Sequence, residues 1–180
     1  GWNPVFEKEN IIALNKGGKN ITLEPGNQIE LSGDKLNHMH EACAESQDYL
    51  FELKQVTKKL DIKIVSAGFD PISKLNEIPG NPKQRYELMT KDMPLGGELS
   101  LDMMYRTCGT QLNLDYKSEE DFIKKFRVAN SIVPIAIALF ANSSIVEKKN
   151  SNYLSYRSKV WQSTSSCLLY TSDAADEDLR

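Results

Sequence analysis

Histidine and cysteine are scarce in this chain, with two and three respectively in 180 residues. His38 and His40 stand two apart, which on a helix separates them by roughly 200°, so they share no metal ion well. With no other histidine present, imidazole-based acid–base chemistry has little to draw on, and both residues read as structural. No cysteine has a second Cys or His at metal-ligand spacing, and so few do not make a disulfide framework, which agrees with a reducing compartment. Long apolar runs are also missing. The best stretch, 132–141, is far short of the roughly 20 residues of a membrane span and contains Pro134. No basic segment followed by an apolar run opens the chain, so no secretory signal is expected.

Neither sign of charge dominates. The formal net charge of −3 comes from residues 167–180, where four acids face one base; the remaining residues carry 21 acids and 21 bases. That balance removes the electrostatic footprint expected of a nucleic-acid binder. The run CLLYTSDAADE within 167–180 resembles the translation of a sequencing-library adapter. Residues 167–180 are therefore expected to be a non-native tail and 1–166 to be the part that folds.

What is present is ordinary globular composition, 40% apolar and 26% charged. Two short β-prone runs, 10–14 and 21–24, flank Gly17-Gly18 and predict a hairpin. A phosphate-cradling loop is the weaker alternative, because no Gly-Lys-Ser/Thr follows. Pro25-Gly26 predicts a turn, and 28–31 a further strand. Apolar positions 36, 39, 43, 50, 53 and 60 recur at helical spacing and predict a six-turn helix that buries that face. Beyond it a strand is expected over 62–69, a short helix over 83–91 after Pro82, and a long strand over 103–116. Ser118 with Glu119–Asp121 predicts a capped helix start, the helix running to about Phe140 with a kink at Pro134. Residues 153–161 are expected to be extended. The pattern is an α+β fold, more antiparallel than parallel.

Several residues carry candidate chemistry. Glu24 and Glu30 flank the Pro-Gly turn on adjoining strands. Two carboxylates there suit a hard divalent ion, though paired strand glutamates are usually solvent-facing. On a regular strand Gln111, Asn113 and Asp115 share one face and Leu112 and Leu114 the other. Arg106 falls on the leucine parity, which buries a charge unless it is paired. Its partner is either a substrate anion or a structural acid. Arg85 and Arg157 read as surface arginines by default, but guanidinium is also the group best shaped to grip a carboxylate or phosphate with two bonds.

As strings these segments resemble one family. ITLEPGNQIELSG (21–33) is similar to the "SLEPGGQFELSG" signature of plant-type and proteobacterial glutamate–cysteine ligases. LDMMYRTCGTQLNLD (101–115) is similar to its "LDMMLRTCTVQVNLD". FANS (140–143) and LSYRS (154–158) through Trp161 continue the match. The resemblance implies part of a glutamine-synthetase-like catalytic domain, with a curved, mainly antiparallel sheet and helices packed on its outer side. It implies an ATP- and Mg²⁺-dependent enzyme that phosphorylates the γ-carboxylate of glutamate and couples it to cysteine, giving γ-glutamylcysteine for glutathione. It assigns Glu24 and Glu30 to metal, and Gln111 and Asn113 to nucleotide. Arg85, Arg106, Arg157 and Trp161 go to substrate, with Arg106 and Arg157 catalytic. The four polar residues are expected to converge on one concave face, with Arg106 and Arg157 at its rim. Departures are mild: Asn27 for Gly, Tyr105 for Leu, Lys159 where His is common. The family's first acidic strand and its C-terminal half are expected to lie outside 1–166, leaving this piece inactive alone. A related γ-glutamyl–amine ligase and a non-catalytic ligand-binding fragment are the alternatives. Small-molecule substrates are the expected partners, with no nucleic acid or membrane. The expected compartment is the cytoplasm, or a plastid in a photosynthetic eukaryote.

Overall fold

The computed structural model describes residues 1–165, and the expected tail over 167–180 lies outside the described residues. The chain forms two compact units, residues 1–66 with 79–89, and residues 67–78 with the chain from 90 onward.

The first unit is built on a four-stranded antiparallel meander. Its strands are β1 (Asn3–Glu7), β2 (Asn10–Lys16), β3 (Lys19–Glu24) and β4 (Gln28–Ser32), in sequential order. The expected hairpin is β2–β3. Lys16 pairs with Lys19, so Gly17-Gly18 is a two-residue loop, and Gly17 takes the positive φ of 64° that such a turn requires. β1 has no counterpart in the sequence reading. Asn3 and Pro4 mask it, and its register with β2 shifts between Val5 and Phe6.

Helix α1 (Met39–Lys59) starts at His38, whose Nδ1 accepts from the Glu41 amide at 3.4 Å, while Lys58 and Lys59 face the negative end of the dipole. The half-buried positions are 41, 42, 45, 49, 53 and 57, and burial pushes the Tyr49 phenol up. This is not the apolar face expected: Met39, Leu50 and Leu60 are exposed, and only Leu53 of that set is half-buried. Ion pairs select the other stripe. Glu45 meets Lys19 at 3.1 Å, and Glu52 takes Lys16 at 3.1 Å and the Trp2 indole N–H at 2.8 Å. Helix α2 (Gln84–Asp92) begins two residues after Pro82 and supplies Tyr86, the buried aromatic of this unit.

The second unit has helices α3 (Ser100–Arg106), α4 (Glu119–Leu139) and α5 (Tyr156–Gln162), with a two-stranded hairpin β5–β6 (Ile145–Val146 and Lys149–Asn150). Phe69, Met104, Val160 and Ser100 form its buried centre. Three expectations fail here. The run 62–69 forms no strand, Phe69 making only an isolated bridge to Thr107. The expected strand 103–116 is helix α3 up to Arg106, and 108–116 has no regular structure. The expected extended segment 153–161 holds helix α5, capped by Ser155. Local preference for strand lost to packing, since α3 and α5 bury Met104 and Val160. The start and extent of helix α4 agree with expectation: Ser118 Oγ accepts from the Asp121 amide at 3.2 Å and three acids occupy the first turn, while the helix runs on through Pro134. None of its residues is buried.

Gly97 sits where no side chain fits, since a Cβ there would lie 2.5 Å from the Thr164 backbone. Gly97→Ala is expected to destabilise the chain by about 2 kcal/mol, as overpacking against backbone does. Gly80→Ala, with nothing within 4 Å, should stay within about 0.5 kcal/mol. Urea unfolding midpoints compare the two.

Candidate functional site

The candidate residues fall into two groups, one in each unit. In the first unit β3 and β4 pair with Thr22 opposite Glu30 and Glu24 opposite Gln28. Side chains alternate along a strand and paired residues share a face, so Glu24, Thr22 and Glu30 lie on one face of the sheet. The Thr22 hydroxyl oxygen is buried without a hydrogen-bond partner. Glu30 accepts a long hydrogen bond, 3.4 Å, from Ser32.

Glu24 is held by the segment that opens α2. Tyr86 donates its hydroxyl to Glu24 Oε2 in a short hydrogen bond. Lys83 Nζ lies 3.6 Å from Oε1. Asn81 Nδ2 donates to the carbonyls of Leu23 at 3.2 Å and Glu24 at 3.0 Å, and its Oδ1 accepts from the Lys83 amide at 3.0 Å. Burial, and then the hydrogen bond to Glu24 and its charge, push the Tyr86 phenol far up, so it remains a donor. Arg85 stacks over the Tyr86 ring at 4.8 Å and is exposed to solvent. Asn81, Lys83 and Tyr86 were not legible as partners of the Glu24 region: they lie 57 to 62 residues from it, and no spacing rule links a strand end to a helix that far along the chain.

In the second unit Arg106 is 4% exposed. Its Nη1 binds Asp102 Oδ1 at 2.8 Å and faces Glu147 Oε1 at 3.6 Å, and the guanidinium lies over the Phe69 ring at 4.5 Å. Both acids belong to the chain. The i,i+4 spacing of Asp102 and Arg106 was readable, but only on a helix. Glu147 reaches in from the β5–β6 turn, where its φ is 49°. Arg106 Nε and Nη2, and Arg157 Nε, are buried without hydrogen-bond partners. Arg157 lies on α5 with its guanidinium over Trp161 at 5.6 Å, and its Nη2 is 3.1 Å from where a Cβ on Gly109 would sit. Gln111 and Asn113 lie on no strand. They are exposed and bonded to each other, Gln111 Nε2 to Asn113 Oδ1 at 2.8 Å. An open cavity of about 330 Å³ between Met93 and Ser165 is lined by none of the candidate residues.

Nearby, Asp70 accepts from the amides of Ile72 at 2.8 Å and Ser73 at 3.0 Å. Burial opposes its charge, but those amides and Arg106 outweigh it and hold the carboxyl below its usual range. Cys43 and Cys108 are in no disulfide among the described residues, and burial pushes the Cys108 thiol up. No helix among the described residues is long and apolar enough to cross a membrane.

The described residues form an α+β protein with carboxylate and hydroxyl oxygens on one sheet face of the first unit and arginines with unpartnered buried donors in the second. The comparisons are specific. A family model described as glutamate-cysteine ligase family 2 (GCS2) matches residues 5–176. The chloroplastic glutamate–cysteine ligase of Nicotiana tabacum is 48% identical over 163 residues, 91% of this chain and 31% of the relative. Chloroplastic glutamate–cysteine ligase A of Oryza sativa subsp. japonica is 47% identical, with 33% of its length covered. The Arabidopsis thaliana enzyme is 46% identical, with 31% covered. The chain belongs to glutamate–cysteine ligase family 2, and it spans about a third of the length of these curated relatives.

Two outcomes test the arginine group. Asp102→Ala removes the shorter ion pair of Arg106, leaving the longer one to Glu147, and is expected to cost about 3 kcal/mol in urea unfolding. Glu147→Gln, at a half-exposed partner, should cost less than about 1 kcal/mol. Because the folded-state carboxyl of Asp70 is lowered, its contribution to stability is complete above about pH 4 and disappears as pH falls through the folded value. Asp70→Asn should therefore flatten the acid limb of the stability curve below about pH 4, as measured by urea midpoints.

Proposed function

We propose that this polypeptide is part of an ATP-dependent ligase that joins the γ-carboxylate of L-glutamate to the amine of L-cysteine, the first step of glutathione biosynthesis. The observation that carries the reading is near-half identity over 163 residues to relatives named for that ligation. The antiparallel sheet with Glu24 and Glu30 on one face supports it, and on this reading it is part of a glutamine-synthetase-like catalytic sheet. Cys43 and Cys108, in no disulfide among the described residues, suit a reducing compartment, cytoplasm or plastid, and the relatives are named chloroplastic.

The chemistry sets what the residues must do. A carboxylate is a poor acyl donor, so ATP transfers its γ-phosphoryl group to the γ-carboxylate of glutamate, giving an acyl phosphate and ADP. The amine of cysteine then attacks the acyl carbon, phosphate leaves, and the amine gives up a proton. ATP and glutamate together carry about five negative charges, which cations must offset in the transition state. The donor set on the first unit fits Mg²⁺. Glu24, Glu30 and the unpartnered Thr22 hydroxyl are hard oxygen donors. Mg²⁺ commonly takes one or two carboxylates and completes its shell with water and substrate phosphate. Bound there, Mg²⁺ supplies Lewis-acid neutralisation of phosphate oxygens.

Arg157 and Arg106 bring the spare donors: Nε of Arg157, and Nε and Nη2 of Arg106, are buried and unsatisfied, and an anionic substrate group satisfies such donors. The Trp161 ring lies beside the Arg157 guanidinium, its centroid 5.6 Å away. Arg85, exposed beside Glu24's partner Tyr86, is a further contact for glutamate. Gln111 and Asn113 are assigned to the nucleotide. Their mutual hydrogen bond is weak enough at the surface to be exchanged for one to a ligand.

The 180 residues alone are expected to be inactive, so the test is a chimera in which this chain replaces the matching segment of the Nicotiana tabacum relative. It should release ADP and γ-glutamylcysteine only when glutamate, cysteine and ATP are all present. Within it Glu30→Gln should lower kcat by about 100-fold or more with the fold intact. Arg157→Ala should mainly raise the KM for glutamate, by about tenfold or more. A chimera that turns over with another amine in place of cysteine would move the reading to a related γ-glutamyl–amine ligase. Glu30→Gln with near-normal turnover would overturn the metal assignment.

A further inference from the structure

The carboxylate face of the first unit already contains a cation. Lys83 is 8% exposed, with its ammonium 3.6 Å from Glu24 Oε1 and 5.2 Å from the centroid of the Tyr86 ring. Its backbone is anchored by Asn81, which binds the Lys83 amide on one side and the Leu23 and Glu24 carbonyls on the other. Glu24 Oε2 takes the Tyr86 hydroxyl, so both oxygens of Glu24 face a donor from one short segment. The two donors differ in what a metal ion would require of them. Tyr86 is uncharged and fills one lone pair of Oε2, leaving the other open. Lys83 is a full positive charge on the oxygen that a divalent ion would also use, and like charges this close repel strongly outside bulk water.

Resting on the reading that Glu24, Thr22 and Glu30 hold Mg²⁺, we propose that Lys83 is the counter-ion of Glu24 in the metal-free protein and that a divalent cation binds by displacing it. A part-buried carboxylate left unpaired is costly, and Lys83 removes that cost while the metal is absent. A lysine suits such an exchange. Its ammonium is a compact point charge on a flexible four-carbon stem, able to withdraw without moving the backbone that Asn81 holds. Tyr86 stays in place through the exchange and keeps the carboxylate oriented. Metal affinity at this face is then set by competition with a tethered cation, and binding of the metal and burial of Lys83 oppose each other reciprocally.

Amine reactivity reads the displacement without any assay of turnover. The chain is treated with a limiting acetyl ester, and modification of each lysine is followed by peptide mass spectrometry, with and without millimolar Mg²⁺. Without metal, Lys83 should react roughly tenfold more slowly than Lys58 and Lys59, which are exposed on the last turn of α1. Adding Mg²⁺ should speed Lys83 several-fold and leave Lys58 and Lys59 unchanged. In parallel, Mn²⁺ binding is measured by the resonance signal of the free ion. Lys83→Met should bind Mn²⁺ at least about fivefold more tightly than the unmodified chain, and Glu24→Gln should weaken binding. Mn²⁺ binding that depends on Glu24 while Lys83 labelling and Lys83→Met affinity stay unchanged overturns the displacement and leaves the metal site standing. No Mn²⁺ binding by either the chain or Lys83→Met, or binding indifferent to Glu24→Gln, overturns the metal reading and this inference together. Should Lys83→Met fail to fold, labelling of the unmodified chain still decides.

Discussion

A positive charge cannot be taken out of water without a matching negative one, and each unit of this protein contains a cation in that position. Lys83 and Arg106 are both buried. Lys83 is matched by Glu24 at the end of β3, which ties the opening of α2 to the meander. Arg106 is matched by Asp102 one turn back and by Glu147 from the β5–β6 turn, which ties that hairpin to the end of α3. The residues that make these pairs are the ones that hold the backbone around the candidate chemistry. An unpaired partner in either place would leave a buried charge, the most expensive single defect a fold can carry.

Apolar burial is less decisive here than these pairs. Among the described residues Phe69, Tyr86, Met104 and Val160 are the buried large apolar ones, whereas α4 displays Phe122, Ile132, Ile135 and Leu139 to solvent. Its local order rests on the Ser118 cap, acids in its first turn and the Asp121–Lys125 pair, which are helix-level terms rather than core packing. The same balance explains why α1 turns its ion-pairing stripe to the sheet and leaves Met39 and Leu50 outside.

Elements whose signals are local were legible from residue order. The Gly-Gly hairpin, the Pro-Gly turn, the strand before Gly33, α1 and the capped start of α4 all follow from turn chemistry, capping or periodicity within a few residues. The misread elements had a signal that pointed to strand while tertiary contacts required something else. Met103 and Met104 are acceptable in either state, and the pairing of Asp102 with Arg106 favours the helix. Tyr156–Val160 reads as extended by composition, but Ser143 accepts the Arg157 amide at 3.0 Å through its hydroxyl and Ser155 caps the turn, which fixes a helix start that composition does not reveal.

For the candidate site, sequence alone determined the chemical inventory and the family. Two glutamates astride a Pro-Gly turn, three arginines and the long motifs around them name the types of group available, because motif matching needs only the order of residues. The common face of Glu24 and Glu30 came from the register of β3 with β4, Thr22 standing opposite Glu30. Tertiary structure alone decided which of these groups are already engaged. It gave Glu24 to Tyr86 and Lys83, gave Arg106 to Asp102 and Glu147, and left the Thr22 hydroxyl and Nε of Arg157 without partners. The physical reason is range: hydrogen bonds and ion pairs act over a few ångströms of space, and the residues they join here are up to 62 positions apart in the chain.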